Sequence, residues 1–234
     1  MSVLTRPLQT SPSSISTPMR ACACRTARGG PWRRLLAYAM ARFADKYEGA
    51  IGPTKERVFG SIEGGTVLEL GPGAGSNLPR LAGRGVDRWI GIEPMLAAHP
   101  YLERRLAETG LCGSVVAGIA EALPVPSASV DAVVSTLVLC SVHDLEATLH
   151  EIRRVLRPGG RFVFVEHVAA PEGDPLRRHQ QRFSRVWRWL ADGCHPNRDT
   201  GRALESAGFA DVRFDAFRVP NGLLTPHIAG VATV

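Results

Sequence analysis

The residues with the clearest chemical pattern follow a short apolar run, Thr66 to Leu70, and form a glycine-rich loop. Gly71, Gly73 and Gly75 alternate with other residues, which gives the spacing G-x-G-x-G. Glycines at these positions let the backbone turn tightly after a strand and approach a ligand closely, while the next helix offers unpaired N–H groups. The loop therefore predicts a turn that grips a cofactor.

Two acids accompany this loop. Glu69 lies in the apolar run before it, and Glu93 ends the next apolar run, 22 residues after Gly71. A carboxylate at the end of a second strand can accept hydrogen bonds from both ribose hydroxyls of a nucleoside. The loop and the acids together indicate a nucleoside cofactor. A glycine turn kept for packing alone, or a degenerate site, is the competing interpretation.

The loop lacks the spacing of a dinucleotide site. The fingerprint G-x-G-x-x-G would place its last glycine at Ser76 or Leu78. The observed spacing, preceded by Glu69, instead resembles class I S-adenosylmethionine methyltransferases. This resemblance implies that the acid before the loop helps to hold the methionine ammonium group. It also implies that the loop carries the carboxylate and thioether side, and that the acid of the second strand holds the ribose.

Further segments continue the resemblance in the expected order. Residues 118–124 correspond to the segment against adenine, 130–135 to the fourth strand, and 156–162 to the turn into the fifth. Ile119 stands where the family has Asp, so backbone groups of 117–121 are expected to replace the usual contact with the adenine amine. The resemblance implies S-adenosylmethionine as the cofactor, held by Glu69, Gly71, Gly73, Gly75, Asn77, Glu93, Pro94, Ala120, Glu121 and Thr136.

Segments nearer the C-terminus resemble a narrower group. These are the apolar stretch 135–143 and residues 164–170, 190–195 and 225–230. They are similar to the methyltransferase-like family that includes membrane-anchored alkyl-thiol S-methyltransferases, from about Val67 onward. The resemblance implies S-methylation of a small, largely apolar thiol. The alternatives are O- or N-methylation of a specialised metabolite, quinone or lipid, and a nucleoside-binding protein without turnover.

Three histidines are candidate bases for the acceptor: His143, His167 and His195. Each follows or closes a segment predicted at the active edge of a sheet. The alternative for each is a structural hydrogen bond in a loop. Cys140 and Cys194 are interpreted as small packed residues, because methyl transfer needs no covalent intermediate. No metal site is predicted.

An alternating frame of strands and helices must position these residues. Strands are predicted at 66–70, 88–92, 114–117, 130–135, 161–165, 212–217 and 228–234, separated by helices at 77–82, 96–108, 145–156, 176–191 and 200–207. This order predicts an α/β, doubly wound (Rossmann-like) fold with a mostly parallel seven-stranded sheet and helices on both faces. Before it, an amphipathic helix from Pro31 is expected to end at 49–52, with a second helix over 53–61. The apolar face of 176–191 is assigned to the core.

Charge divides the chain of 234 residues into two parts. The net charge is +6, but residues 1–44 hold seven arginines and no acid, which leaves 21 cations against 22 anions in the remainder. Residues 1–30 are rich in Ser, Thr, Pro and Arg and are predicted to be a disordered basic leader: a solvated tail, a transit peptide or an upstream extension. Residues 31–234 are predicted to form the methyltransferase domain. Its near-neutral charge argues against a nucleic-acid partner and favours a small-molecule substrate.

The cysteines and the hydropathy of the chain indicate where in the cell the protein is expected to work. The five cysteines are odd in number and mostly far apart, which indicates reduced thiols and a cytoplasmic location. The longest early apolar stretch, 35–41, is far shorter than the roughly 20 residues of a membrane-spanning helix. We therefore expect no integral membrane association, and the oligomeric state stays open.

Overall fold

The computed structural model describes residues 31–234, apart from several side chains between 32 and 47. Its sheet has seven strands: β1 (Gly65–Leu70), β2 (Val86–Ile92), β3 (Gly113–Val116), β4 (Val130–Thr136), β5 (Leu156–His167), β6 (Asp211–Arg218) and β7 (Pro226–Thr233). Their order across the sheet is β3-β2-β1-β4-β5-β7-β6. Strands β1 to β5 run parallel, and β7 runs antiparallel to β5 and β6. The predicted mostly parallel sheet is confirmed.

Helices cover both faces of this sheet. They are α1 (Pro31–Phe59), α2 (Leu78–Ala82), α3 (His99–Thr109), α4 (Leu145–Val155), α5 (Pro175–Leu190) and α6 (Thr200–Ser206). One core cluster joins the sheet to α1, α2 and α3 through Phe59, Leu81 and Leu102. A second cluster joins it to α4 and α6 through Ile152 and Leu204. None of the helices within 31–234 combines the length and apolar character needed to cross a membrane.

The observed end of helix α1 differs from the predicted end. The sequence predicts a helix end at 49–52 and a second helix over 53–61, but α1 runs on to Phe59 and contains Pro53. An internal proline removes one helical N–H donor and disfavours the preceding turn. Ile51 and Phe59, on either side of it, are completely buried. Burial of this end of the helix against the sheet therefore overrides the local glycine and proline signals.

The exposure of helix α5 contradicts the prediction for its apolar face. Its apolar face is not part of the core, because Phe183, Val186 and Leu190 are between 44% and 57% exposed. Gln180 is the buried residue of this helix. Its Oε1 atom accepts a hydrogen bond from the backbone N–H of Ala170 at 2.8 Å. The helix thus docks through a polar contact, which a count of apolar residues on one face cannot predict.

The order of the strands reverses between β1 and β4. From β1 the chain continues to β2 and β3 on one side, and then returns to β4 on the other side. In open parallel sheets, ligands bind beyond the carboxyl ends of the strands at such a switch point. The glycine loop after β1, the acid after β2 and the apolar segment after β4 therefore meet at one edge of the sheet.

Candidate active site

The glycine loop after β1 turns through left-handed backbone conformations. Gly71, Gly73 and Gly75 have φ angles of 50°, 56° and 80°, which favour glycine. A Cβ atom at Gly71 would lie 2.8 Å from Val138, and one at Gly75 would lie 2.7 Å from Leu78. Both the backbone conformation and the lack of space therefore require glycine here, as the spacing predicts.

Glu93 closes this loop from the end of β2. One carboxylate oxygen accepts a hydrogen bond from the N–H of Gly73 at 2.9 Å, and the other from the N–H of Met95 at 2.7 Å. Burial raises the pKa of Glu93, against the lowering effect of these two bonds. A carboxylate has about four acceptor positions. Glu93 therefore keeps acceptor positions for two further donors, as a ribose requires.

Glu69 lies deeper than the resemblance implies. Its two oxygens accept hydrogen bonds from Asn77 Nδ2 at 2.8 Å and from Trp89 Nε1 at 2.9 Å. The same Nδ2 atom lies 3.1 Å from Thr136 Oγ1. Burial raises the pKa of Glu69, against the lowering effect of the Asn77 and Trp89 bonds. Three predicted cofactor residues therefore form one network that links β1, β4 and the start of α2.

A cavity of about 660 Å³ opens at the same edge of the sheet. Five of the ten predicted cofactor residues line it: Gly71, Glu93, Pro94, Ala120 and Glu121. Its remaining walls are mainly apolar and include Ile92, Met95, Ile119, Leu137, Val138, Val142, Ala147 and Ala191. A volume of this size and an apolar lining with a few polar groups are typical of small-molecule sites.

A second cleft, of about 900 Å³, lies along α2 and α3 and has a charged lining. Two of its arginines form ion pairs that bridge α1 to the region of α2: Arg80 contacts Glu48 at 2.6 Å and Glu56 at 2.8 Å, and Arg84 contacts Glu56 at 2.9 Å. None of the ten predicted cofactor residues is part of its lining. The smaller apolar cavity is therefore the better candidate for the reaction.

The three candidate histidines lie in different surroundings. His143 lines the cavity. His167 is buried, and its Nε2 atom lies 3.2 Å from the Sγ atom of Cys194. His195 lies outside the cavity lining, and burial followed by the charge of Arg198 lowers its pKa. Of the three, His143 is the histidine that a molecule in the cavity can reach.

Glu166, in β5, is a residue that the sequence analysis missed. Its carboxylate accepts hydrogen bonds from Ser135 Oγ at 2.6 Å and from the backbone N–H groups of Val138 and Leu139, each at 3.1 Å. Burial raises the pKa of Glu166 to about 7, against these bonds. A single acid within an apolar strand was the available signal. Glu166 holds the turn that forms one wall of the cavity.

Two non-glycine residues at the cavity have a left-handed backbone. Leu137 has a φ of 58° and Asp192 a φ of 44°, and both line the cavity. Such conformations are rare for residues other than glycine and asparagine, and they concentrate at functional sites. The hydrogen bonds that Glu166 accepts from the N–H groups of Val138 and Leu139 help to hold the conformation of Leu137.

The donors and acceptors present fit the cofactor that the motifs imply. Glu93 offers free acceptor positions to a ribose. Asn77 Oδ1 is buried and has no hydrogen-bond partner within residues 31–234, so it can accept from an ammonium group beside Glu69. The contacts around Gly71 and Gly75 leave no room for side chains on the loop, which lets the backbone approach a ligand.

Comparisons with known proteins agree with this geometry. Residues 68–164 match a family model described as a methyltransferase domain. The chain is 35% identical to human thiol S-methyltransferase TMT1B, over 87% of this chain and 89% of that protein. It is 34% identical to human thiol S-methyltransferase TMT1A, over 86% of each. A solved S-adenosylmethionine-dependent methyltransferase from Mesorhizobium loti has a TM-score of 0.60 and 21% identity, over 79% of this chain and 98% of that one. The chain thus belongs to the family of S-adenosylmethionine-dependent methyltransferases that includes TMT1A and TMT1B.

Proposed function

We propose that this methyltransferase methylates the sulfur of a small, largely apolar thiol. The cavity carries this proposal, because its Glu93 and Gly71 side is continuous with an apolar wall of Leu137, Val138 and Val142. An apolar wall favours an acceptor with an alkyl or aryl body. The two human relatives are named as thiol S-methyltransferases, which supports sulfur as the acceptor atom.

The predicted cofactor residues take two roles in this proposal. Glu93 accepts hydrogen bonds from the ribose, while Pro94, Ala120 and Glu121 border the adenine. Gly71 gives the backbone its close approach, as do the other two glycines of the loop. Glu69, Asn77 and Thr136 form a buried hydrogen-bonded network, and in this proposal Asn77 Oδ1 accepts a hydrogen bond from the ammonium group.

Methyl transfer requires mainly that the protein position the cofactor and the thiol. The cofactor supplies a methyl group bonded to a positively charged sulfur. A thiolate attacks the methyl carbon in line with that bond, and the cofactor sulfur is displaced. A new carbon–sulfur bond forms as the old one breaks, so both products are neutral thioethers and one proton leaves the thiol. A thiol with a pKa of about 8.5 is only a few per cent ionised at neutral pH. His143 lines the cavity, and in this proposal it accepts that proton.

A matched substrate panel tests the acceptor. The purified full chain is incubated with methyl-labelled cofactor and with a thiophenol, a phenol and an aniline of the same carbon skeleton. We expect label on sulfur only. In a series of linear alkyl thiols, each added methylene should raise kcat/KM by about fourfold until the cavity is filled, since burying one methylene contributes about 0.8 kcal/mol. Transfer to the phenol or the aniline with an inert thiol would favour O- or N-methylation and contradict the proposal.

We infer in addition that residues 31–234 are the catalytic domain, that no nucleic acid is a partner, and that the enzyme works in the cytoplasm. Support comes from the near-neutral charge beyond residue 44 and from the free thiols of Cys112, Cys140 and Cys194. A chain of residues 31–234 should keep the cofactor affinity and the turnover of the full chain. Loss of turnover together with a salt-sensitive affinity for nucleic acid in the full chain would contradict this inference.

A further inference from the structure

Three buried side chains with metal-ligating atoms meet outside the lining of the cavity. They are Cys140 in the segment after β4, His167 at the end of β5, and Cys194 in the segment after α5, and their ligand atoms all lie within 4.8 Å of one another. Ser141 and Asp192, close neighbours of the two cysteines in the chain, line the cavity. The proposed methyl transfer uses none of the three.

We propose that Cys140, His167 and Cys194 bind a zinc ion. Two thiolates and an imidazole are the donors that Zn²⁺ prefers, whereas Mg²⁺ and Ca²⁺ require oxygen ligands. With Zn–S bonds of about 2.3 Å and Zn–N bonds of about 2.05 Å, a tetrahedron separates sulfur from nitrogen by about 3.6 Å and sulfur from sulfur by about 3.8 Å.

The observed separations suit that tetrahedron. His167 Nε2 and Cys194 Sγ lie 3.2 Å apart, and the largest separation in the cluster is within 4.8 Å. No pair of donors therefore has to change its separation by more than about 1.2 Å to reach tetrahedral values. Rotation about the side-chain bonds of two cysteines can supply shifts of that size.

Outer contacts already orient the sulfur atoms. The indole Nε1 of Trp187 donates a hydrogen bond to Cys194 Sγ at 3.3 Å. Ser141 Oγ lies 3.4 Å from Cys140 Sγ. Outer hydrogen bonds of this kind fix the direction of metal-bound thiolates and tune the site. Two thiolates also balance the charge of a divalent ion.

Because the three ligands come from different parts of the chain, a bound ion would crosslink them. It would join the segment after β4, the end of β5 and the segment after α5, and the first and last of these provide walls of the cavity. Three protein ligands leave a fourth position for water or another small ligand. Zinc would thereby fix the positions of the segments after β4 and after α5, which both line the cavity.

The first test uses a background variant of the full chain, Cys22→Ser/Cys24→Ser/Cys112→Ser, which keeps Cys140 and Cys194 as its only thiols. The reduced protein is freed of metal and titrated with Co²⁺. We expect one ion per chain, with a thiolate-to-cobalt charge-transfer band and the intense visible bands of tetrahedral Co²⁺. X-ray absorption of the zinc-loaded background variant should show two sulfur neighbours at about 2.3 Å. Absence of sulfur coordination in this variant would overturn the proposal.

A second step removes the ligands. Adding Cys140→Ser and Cys194→Ser to the background variant should abolish the cobalt bands, and zinc should no longer raise its thermal midpoint. Cys112→Ser alone is the matched control, because Cys112 is exposed and precedes β3 at the opposite edge of the sheet. It should bind the metal like the wild type. Stoichiometric binding that survives loss of Cys140 and Cys194 would also overturn the proposal. If their removal unfolds the chain, the X-ray absorption result on the background variant decides.

Discussion

Carboxylate pKa values are shifted in opposite directions at the two ends of the parallel strands, which are called here the carboxyl edge and the amino edge of the sheet. At the carboxyl edge, burial raises the pKa values of Glu69 and Glu93. At the amino edge, Asp131 is far more exposed to solvent. Burial is the largest single effect and raises its pKa, but the N–H of Thr66 and the Arg157 guanidinium together outweigh it and lower the pKa overall. One edge holds carboxylates that would be more stable in water, and the other holds a carboxylate that stabilises the fold.

Backbone strain differs between the edges as well. Leu137 and Asp192, at the cavity, hold left-handed conformations that cost on the order of 1–3 kcal/mol each. At the amino edge most positive φ angles belong to glycines such as Gly85 and Gly159, and Ala128 is the single non-glycine residue with a positive φ there among the described residues. The comparison indicates that stability is given up where the cofactor and acceptor bind and is retained at the opposite edge. Matched substitutions at the two edges test this reading.

The largest expected effect comes from Glu93→Ala. Hydrogen bonds to a charged acceptor contribute about 1.5–3 kcal/mol, so the Kd for S-adenosylmethionine should rise by roughly tenfold to hundredfold by calorimetry. The matched variant Asp131→Ala should leave this Kd unchanged and lower the free energy of unfolding, because Thr66 and Arg157 lose their partner. An equal Kd in the two variants would remove the assignment of Glu93 to the cofactor.

A somewhat smaller effect is expected from Gly71→Ala. Both Gly71→Ala and Gly159→Ala place a Cβ on a left-handed backbone, which costs about 1–2 kcal/mol of stability in each. At Gly71 the new atom also meets Val138 at 2.8 Å, whereas at Gly159 nothing lies within 4 Å. We therefore expect Gly71→Ala alone to raise the cofactor Kd, by about tenfold, or about 1.4 kcal/mol. Chemical denaturation and calorimetry on both variants measure the two quantities separately, and a parallel loss of affinity in Gly159→Ala would contradict the comparison.

Acidification should separate the edges over a narrower range. The folded pKa of Glu93 is raised above its ordinary 4.5, and protonation removes an acceptor. Cofactor affinity should therefore decline severalfold as the pH falls toward this raised value. The folded pKa of Asp131 is lowered below 3.8, so its contribution to stability is present above 3.8 and is lost only as the pH falls through the lower folded value. Titration calorimetry and urea unfolding across pH should show affinity lost first.

The amide variant Glu93→Gln is the control for that titration, because its side chain does not titrate. Its cofactor Kd should be higher than that of the wild type at neutral pH and nearly independent of pH. A wild-type Kd that stays constant until the protein unfolds would contradict the role given to Glu93.

Much of the fold could be predicted because its strands carry a strong local signal. β1 and β4 are buried on both faces, so they are short apolar runs, and the glycine loop and Glu93 could be recognised by residue type and spacing. The path of α1 through Pro53 could not, because it depends on the burial of Ile51 and Phe59 and on contacts of α1 with the distant strands β5 and β7. Local signals at a proline carry no information about such packing.

The candidate bases show why the site was harder to predict than the fold. Glu166 and His167 are successive residues at the end of β5, and successive strand residues point to opposite faces. Glu166 contacts the turn of the cavity wall, while His167 contacts Cys194. A buried strand without polar alternation does not reveal which residue faces which side. Chain position alone therefore could not separate His143, at the cavity, from His167, beside the cysteines.

The smallest expected effect concerns the strained residues themselves. Ala128→Gly at the amino edge relieves a left-handed conformation, partly offset by the entropy of glycine in the unfolded chain, and should raise the free energy of unfolding by about 0.5 kcal/mol without changing KM for a thiol. Leu137→Gly relieves similar strain but removes part of the apolar wall, so KM should rise by a few fold, most for the longest alkyl thiol. Steady-state kinetics with the alkyl series and urea unfolding measure both. If Ala128→Gly altered KM as much as Leu137→Gly, the link between a strained backbone and substrate binding would not be specific to the carboxyl edge.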